Sequence, residues 1–400
     1  MSVSLATVID VAKIDYFDTE VYTDFYKKMP WLAYVPKDEK AVGKEFETPL
    51  SFAPPTARSA TFADALTQSA SAATKYGKFA QQVYKRDYQV MEFDHLTMDT
   101  LIPDKGAYLD VTRREFENAA ISLGRSLGMA IYRGAIIGTT TTTMGTTITL
   151  VLPSETVNFE VGDVIQFFNA PSGGTAFGGA AARRTIVAID RDGGTFTVDV
   201  DVAALMIMGT AYICKAGDYD LKVKGFFDYI LPAGAPVTPL FGLNRAQDVK
   251  RLSGVKIDGR GKNPEEFLID ALTQLDREGA DPDFIFCPHL FWSRMVKATG
   301  ARVIYLKHDT VKIGFPAIEI VGPGKTVPLV ADVACPPDKL AIAQLNTWKL
   351  RTVGKAPRIF DEDVKMLRTN GDSYQVRMGY YAELTCEMPG WNASVLIDPA

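Results

Sequence analysis

One stretch constrains the fold more than any other. Between residues 107 and 137, Phe116, Ala119, Ala120, Leu123, Leu127, Ala130 and Ile131 recur at three-four spacing. Arg113, Arg114, Glu117, Asn118 and Arg125 fall largely on the opposite face. This pattern predicts a long amphipathic helix with Asp110 as its N-cap. About 24 helical residues span roughly 36 Å, more than an ordinary globular helix. Such a helix is a structural strut.

A second constraint lies near the end of the chain. In YQVRMGYYAELTCEM (374–388), Val376, Met378, Tyr380, Ala382, Leu384, Cys386 and Met388 alternate with Gln375, Arg377, Tyr381, Glu383, Thr385 and Glu387. Period-two alternation over this length predicts a long strand with one buried face, and so an elongated sheet. KEFETPLSF (44–52) and FAQQVYKRDYQVMEF (79–93) also read as strands. They flank a segment of small polar residues, Phe62 to Phe79, in which Phe62, Leu66 and Tyr76 are the few apolar anchors. The strands predict a long two-stranded excursion whose tip of small residues can lie flat.

Residues 139–217 change character. They hold a threonine-rich entry, the strand VGDVIQFF, a hairpin in RRTIVAIDRDGGTFTVDV, and GTAYICKAG. These read as a small inserted β-barrel. The chain then becomes mixed α/β. Asn263 and Pro264 open a helix that Gly279 stops, DFIFC (283–287) is a buried strand, and PHLFWSRMVKATG (288–300) is a second helix. The resulting fold class is α+β.

The totals exclude several functions. A net charge of −5 lacks the basic excess of a nucleic-acid binder. Cys214, Cys287, Cys335 and Cys386 are far apart and form no CxxC pair, which fits small apolar residues in a reducing compartment. The first residues carry acids at Asp10 and Asp15 and no basic stretch before an apolar run, so no signal peptide is expected. No window is apolar enough to cross a membrane.

Catalytic motifs fail on inspection. IVGPGKTV (320–327) ends like a phosphate loop, but Glu319 stands where a glycine is required and Pro323 removes an N–H. GRSLG (124–128) fits the nucleophile-elbow pattern, yet Ser126 falls inside the strut helix, where its neighbours' N–H groups are engaged. Its glycines suit close packing of another element. The histidines His95, His289 and His308 are scattered, Asp361, Glu362 and Asp363 read as a solvated loop, and NAS (392–394) is a sequon by letters only. No catalytic, cofactor or metal residues are expected. A large structured chain without chemistry suggests a structural role.

The order of parts resembles the major capsid protein of tailed bacteriophages. GFFDYILPAGAPVTPLFGLNR (225–245), with its Leu-Phe-Gly-x-x-Arg close, is similar to the segment that precedes that family's axial domain. ALTQLDREGADPDFIFCPHLFWSRMVK (271–297) and DSYQVRMGYYAELTCEMPGWNASVLI (372–397) resemble its helix–strand–helix and its closing strands. The resemblance implies an N-terminal arm (1–45), an extended loop (46–93), a peripheral domain with the spine helix (94–138), the inserted barrel (139–217), an axial domain with connecting segments (218–350) and C-terminal peripheral strands (351–400). It implies a shell subunit of the virion, made in the host cytoplasm, that assembles as hexamers and pentamers around double-stranded DNA. It brings no cofactor and no membrane.

The chain lacks the charged helical N-terminal segment that some members use as a built-in scaffold, which points to a separate scaffolding protein, alongside a portal, or to processing. Phe62, Leu66, Lys75, Tyr76 and Lys78 are the expected inter-subunit contacts of the loop. Some members cross-link a loop lysine to an asparagine of a neighbour; Lys75, Lys78, Asn370 and Asn392 carry no motif that matches them to those positions, so that chemistry is not carried over. The alternatives are a bacterial nanocompartment shell of the same fold, a serine hydrolase using Ser126, and a β-rich tail or decoration protein.

Overall fold

The computed structural model describes residues 29–39, 43, 45–53, 57–69, 75–94, 105–299, 306–307, 316–354, 356–360, 367–368 and 373–399. The arm before Met29, His95, His308, Asn370 and the Asp361–Asp363 acids lie outside the described residues. Two sheets, a barrel and a hairpin are arranged around one long helix.

That helix, the spine, runs Lys105–Arg133. It begins five residues before the expected cap, so Asp110 lies in its interior. The apolar stripe starts later than the helix does, and reading the stripe alone misplaced the start. From Ala119 onward the stripe is buried: Leu123, Leu127, Ala130 and Ile131 are in the main core. Gly128 lets another element approach, as its spacing suggested, because a side chain there would meet the Met29 sulfur.

The first sheet is organised by the long strand Ser373–Cys386. Along one edge it pairs with Lys85–Asp94 over ten residues, from Ser373↔Asp94 to Ala382↔Lys85. Along the other it pairs in succession with Leu367–Arg368, Arg358–Ile359 and Trp348–Thr352. Val376, Met378, Tyr380, Ala382, Leu384 and Cys386 are buried as the alternation requires. The opposite face is not uniformly exposed, since Glu383 and Thr385 are fully buried. The segment after the barrel lies across it there, and the Lys224 N–H donates to Glu383 Oε1 at 3.2 Å.

The second sheet has seven strands, in the order Val255–Asp258, Ala393–Leu396, Lys339–Ala343, Phe284–Cys287, Thr326–Ala331, Pro316–Val321 and Leu306–Lys307. Helices Pro264–Arg277 and His289–Thr299 cover one face, with Phe267, Leu272, Leu275, Phe291 and Met295 packed on Ile285, Leu329 and Ile342. The Asn263 side chain accepts from the Glu265 N–H, confirming that cap. Phe284 and Phe286, on the opposite face of the same strand, join the main core. A strand buried on both faces explains the unbroken apolar run FIFC. The last strand, Ala393–Leu396, belongs to this sheet and not with Ser373–Cys386, although both lie in the stretch 351–400 expected to close one domain.

The block 139–217 forms its own six-stranded sheet, Gly138–Thr140, Ala211–Lys215, Val164–Phe168, Arg184–Asp190, Thr195–Val198 and Thr147–Thr149, and a bridge between Thr140 and Leu150 nearly closes it into a barrel. Its interior has a separate core of Ile148, Phe159, Ile165, Phe167, Phe196, Val198 and Ile213. The barrel sits against the spine through a buried ion pair, Arg133 Nη1 to Glu155 Oε1 at 2.5 Å, and through Arg125, which donates to the Val157 carbonyl.

The run 79–93 is not one strand. Lys75–Val83 pairs with Glu45–Ala53 in a two-stranded hairpin, while Lys85–Asp94 leaves to join the first sheet. The break falls at Tyr84, whose ring packs on Phe46 at 5.2 Å. Alternation looks the same in either sheet, so the change of partner leaves no mark in the pattern.

Candidate functional site

The hairpin Glu45–Ala53/Lys75–Val83 is held firmly at its base. Thr48 Oγ1 donates to Gln82 Oε1 at 2.5 Å, Gln82 Nε2 donates to the Tyr229 hydroxyl at 2.9 Å, and that hydroxyl donates to the Leu384 carbonyl at 2.5 Å. All of these groups are buried, so each bond also avoids an unpaired polar atom. Phe79 is fully buried against Tyr229 and Phe241. The Leu-Phe-Gly-x-x-Arg segment supplies this clamp: the Ala80 N–H donates to the Phe241 carbonyl, and Leu243 packs where a side chain on Gly77 would go. Arg245 fixes the segment from beneath, donating to the carbonyls of Thr238, Asp228 and Tyr229 at 2.7, 2.8 and 3.1 Å.

The far end differs from the flat loop that its small residues suggested. It carries a helix, Phe62–Ser69. Thr61 and Asp64 start it: the Asp64 N–H donates to Thr61 Oγ1 at 3.4 Å, and that hydroxyl donates to Asp64 Oδ2 at 2.5 Å. Ala63, Ala65, Leu66 and Gln68 favour a helix once it has begun. Phe62 and Leu66, one turn apart on one face, are 82% and 60% exposed. Lys78 does not project freely, because its ammonium lies 2.8 Å from Glu47 Oε1 across the hairpin. Both partners are mostly exposed, so the pair contributes at most about 1 kcal/mol. Lys75 and Tyr76 open the second strand opposite Ala53 and Ser51, and their side chains are outside the described part of the structure.

A polar cluster lies where the spine, the strand Lys85–Asp94, the sheet and the barrel's exit segment meet. Asp87 Oδ2 accepts from Ser126 Oγ at 2.7 Å, from the Tyr380 hydroxyl at 3.1 Å and from Lys222 Nζ. Lys222 Nζ also donates to Ser126 Oγ at 2.8 Å and lies 3.4 Å from Asp218 Oδ2. Burial raises the Asp218 carboxyl above its ordinary range. The cluster borders a cleft of about 780 Å³ between the spine and the barrel. Nothing in the sequence joins positions 87, 126 and 222, so their meeting was not foreseen. A serine beside a lysine invites a nucleophilic reading, but a base must be free to take the serine proton. Lys222 Nζ is already engaged by two carboxylates and by Ser126 Oγ, and Ser126 is in mid-helix with no free N–H pair for an oxyanion.

The other motifs resolve simply. IVGPGKTV is a turn between strands Pro316–Val321 and Thr326–Ala331, with Lys325 paired to Asp281 at 2.7 Å. Asn392 of the sequon is fully buried, accepting from the Gln344 N–H and from Trp348 Nε1. Among the described residues no three His, Cys, Asp or Glu side chains converge as a metal site would need.

No family model matches the sequence, and no curated protein matches it. Solved structures do. A chain of the cyanophage A-1(L) capsid asymmetric unit superposes with a TM-score of 0.50 at 11% identity, covering 92% of both chains. This is the tailed-phage major capsid fold. Other solved chains run along nearly the same length. A chain from Mycobacterium phage Ogopogo gives a TM-score of 0.45 at 9% identity over 92% of this chain and 91% of its own. The SrpI encapsulin of Synechococcus elongatus PCC 7942 gives 0.46 at 8% identity over 92% and 86%. The hairpin carries the tip helix beyond its clamped base, and the barrel is seated on the spine.

Proposed function

We propose that this chain is a structural subunit that self-assembles into the icosahedral head shell enclosing viral double-stranded DNA. The observation that carries the reading is the superposition on a chain of a cyanophage capsid asymmetric unit along 92% of both chains. A shell subunit works by repeating in closed symmetry, with interfaces that accept small changes of angle. A hairpin clamped at its base and exposed at its tip suits that work. Phe62 and Leu66 provide apolar area for a neighbouring copy, and Lys75, Tyr76 and Lys78 flank it. The exposed tip favours contact between subunits over chemistry within one. The constrained Lys222 and the mid-helix Ser126 support a structural role over a hydrolytic one.

In this reading the arm, extended loop, spine-bearing peripheral part, barrel, axial part and closing strands are the working units. The shell grows as hexamers and pentamers with a separate scaffolding protein and a portal, in the host cytoplasm, and ends as the virion capsid. The acidic balance lets the inner wall hold DNA with few phosphate contacts.

The test is removal of the tip. A chain lacking residues 54–74, with the two strands joined by a short turn, is expected to stay folded and soluble and to fail to close shells. Normal particles by electron microscopy would refute the role of the tip. Particles of the full chain that carry protein cargo and no DNA would favour a nanocompartment instead.

A further inference from the structure

Lys222 and Asp87 are 135 positions apart in sequence, yet Lys222 Nζ lies against Asp87 Oδ2. Their side chains are only 7% and 13% exposed. An ion pair withdrawn from water this far loses much of its hydration. The site holds an amine nitrogen against a carboxyl group and shields both from bulk water. Those are the two groups that condense to an amide. Three further groups are placed for that reaction. Ser126 and Tyr380 both donate hydroxyl hydrogens to Oδ2, at 2.7 and 3.1 Å, and so draw electrons toward the oxygen that must leave. Asp218 Oδ2 lies 3.4 Å from Nζ, within reach of the protons the amine must shed. Its carboxyl is raised by burial, which suits a group that takes up and returns a proton.

We propose that this cluster is a modification site, at which Lys222 Nζ and the Asp87 carboxyl carbon join in an intramolecular amide bond. The amine lone pair attacks Cγ of Asp87 and a C–N bond forms. Asp218 takes the two protons that Nζ sheds, one before the attack and one after it, and passes each to Oδ2. The C–Oδ2 bond breaks, and the oxygen leaves as water into the adjoining cleft of about 780 Å³. The ammonium and carboxylate together become one neutral amide and one water, Asp218 ends in its starting state, and no oxidant or reductant is used. Holding both reactants in contact replaces the loss of freedom that makes such a condensation unfavourable between separate molecules. Ser126 and Tyr380 are positioning residues here. The bond ties the strand Lys85–Asp94 to the exit of the barrel, closing a covalent loop that contains the spine helix and the barrel. Such a link limits the unfolded chain much as a disulfide does. The proposal does not depend on assembly into shells.

The experiment is mass measurement on the full chain, purified and denatured. The expected mass is below that of the sequence by one water, and proteolysis should release a branched peptide joining the segments around Asp87 and Lys222. Lys222→Arg, which keeps the charge, and Asp87→Ala should both return to the full sequence mass. Asp218→Asn should leave a large unlinked fraction. A wild-type chain at its full sequence mass, with no branched peptide after prolonged incubation, overturns the proposal whether or not the variants fold. Complete linkage in Asp218→Asn removes Asp218 from the step.

Discussion

At the scale of single residues, the least expected finding is a carboxyl buried on the supposedly exposed face of the longest strand. Glu383 has one oxygen bonded to the Lys224 N–H and the other buried without a partner among the described residues. Burial raises its pKa from the ordinary 4.5 to about 8. The unfolded chain releases this proton near 4.5 and the folded chain holds it to about 8. The stability it contributes is therefore full below the lower value and is lost as pH rises through the upper one. Glu383→Gln keeps the shape and removes the ionisation. Thermal melts from about pH 5 to pH 9 should show the wild type losing stability along a slope that the variant lacks, with the variant melting higher at the alkaline end. Parallel profiles would contradict the assignment. Alternation in the sequence placed Glu383 outside because it encodes only the sheet's own two faces. It holds no record of a distant segment, here the one around Lys224, laid over one of them.

At the scale of elements, long periodic segments were legible and their partners were not. The spine, the helices Pro264–Arg277 and His289–Thr299, the hairpin Arg184–Asp190/Thr195–Val198 and the long closing strand all follow from local spacing and caps. The division at Tyr84, the transfer of Ala393–Leu396 to the seven-stranded sheet and the helix at the hairpin tip depend on contacts far away in sequence or on a short threonine cap among small residues. The candidate contacts were legible only in part. Phe62 and Leu66 stood out as apolar residues in a polar stretch, whereas the pairing of Lys78 with Glu47 needed the register of the hairpin. The barrel belongs to this scale too. Its sheet nearly closes on itself and its core is separate from the main one, so most of its apolar burial does not need the rest of the chain. Residues 135–217 expressed alone should give a β-rich circular-dichroism spectrum and one cooperative melt. A disordered spectrum would show that Arg133 and the spine are required to hold it.

At the scale of the whole molecule, one core ties together segments that are far apart in the sequence. Trp31 of the arm helix Pro30–Tyr34 is fully buried among Tyr132, Phe226, Phe286 and Trp348, so arm, spine and both sheets share one core. Phe62 and Leu66 at the hairpin tip are exposed, and the barrel carries further exposed apolar side chains, Met206 and Met208 among them. In the proposed shell, the exposed pair Phe62 and Leu66 would let one packed body meet neighbours at more than one angle. The most direct test of this account is size-exclusion chromatography of the purified full-length protein, followed by negative-stain electron microscopy of each peak. The account predicts hexamers, pentamers or closed spherical shells. A single monomer peak with no assemblies under any condition that keeps the protein folded would contradict it.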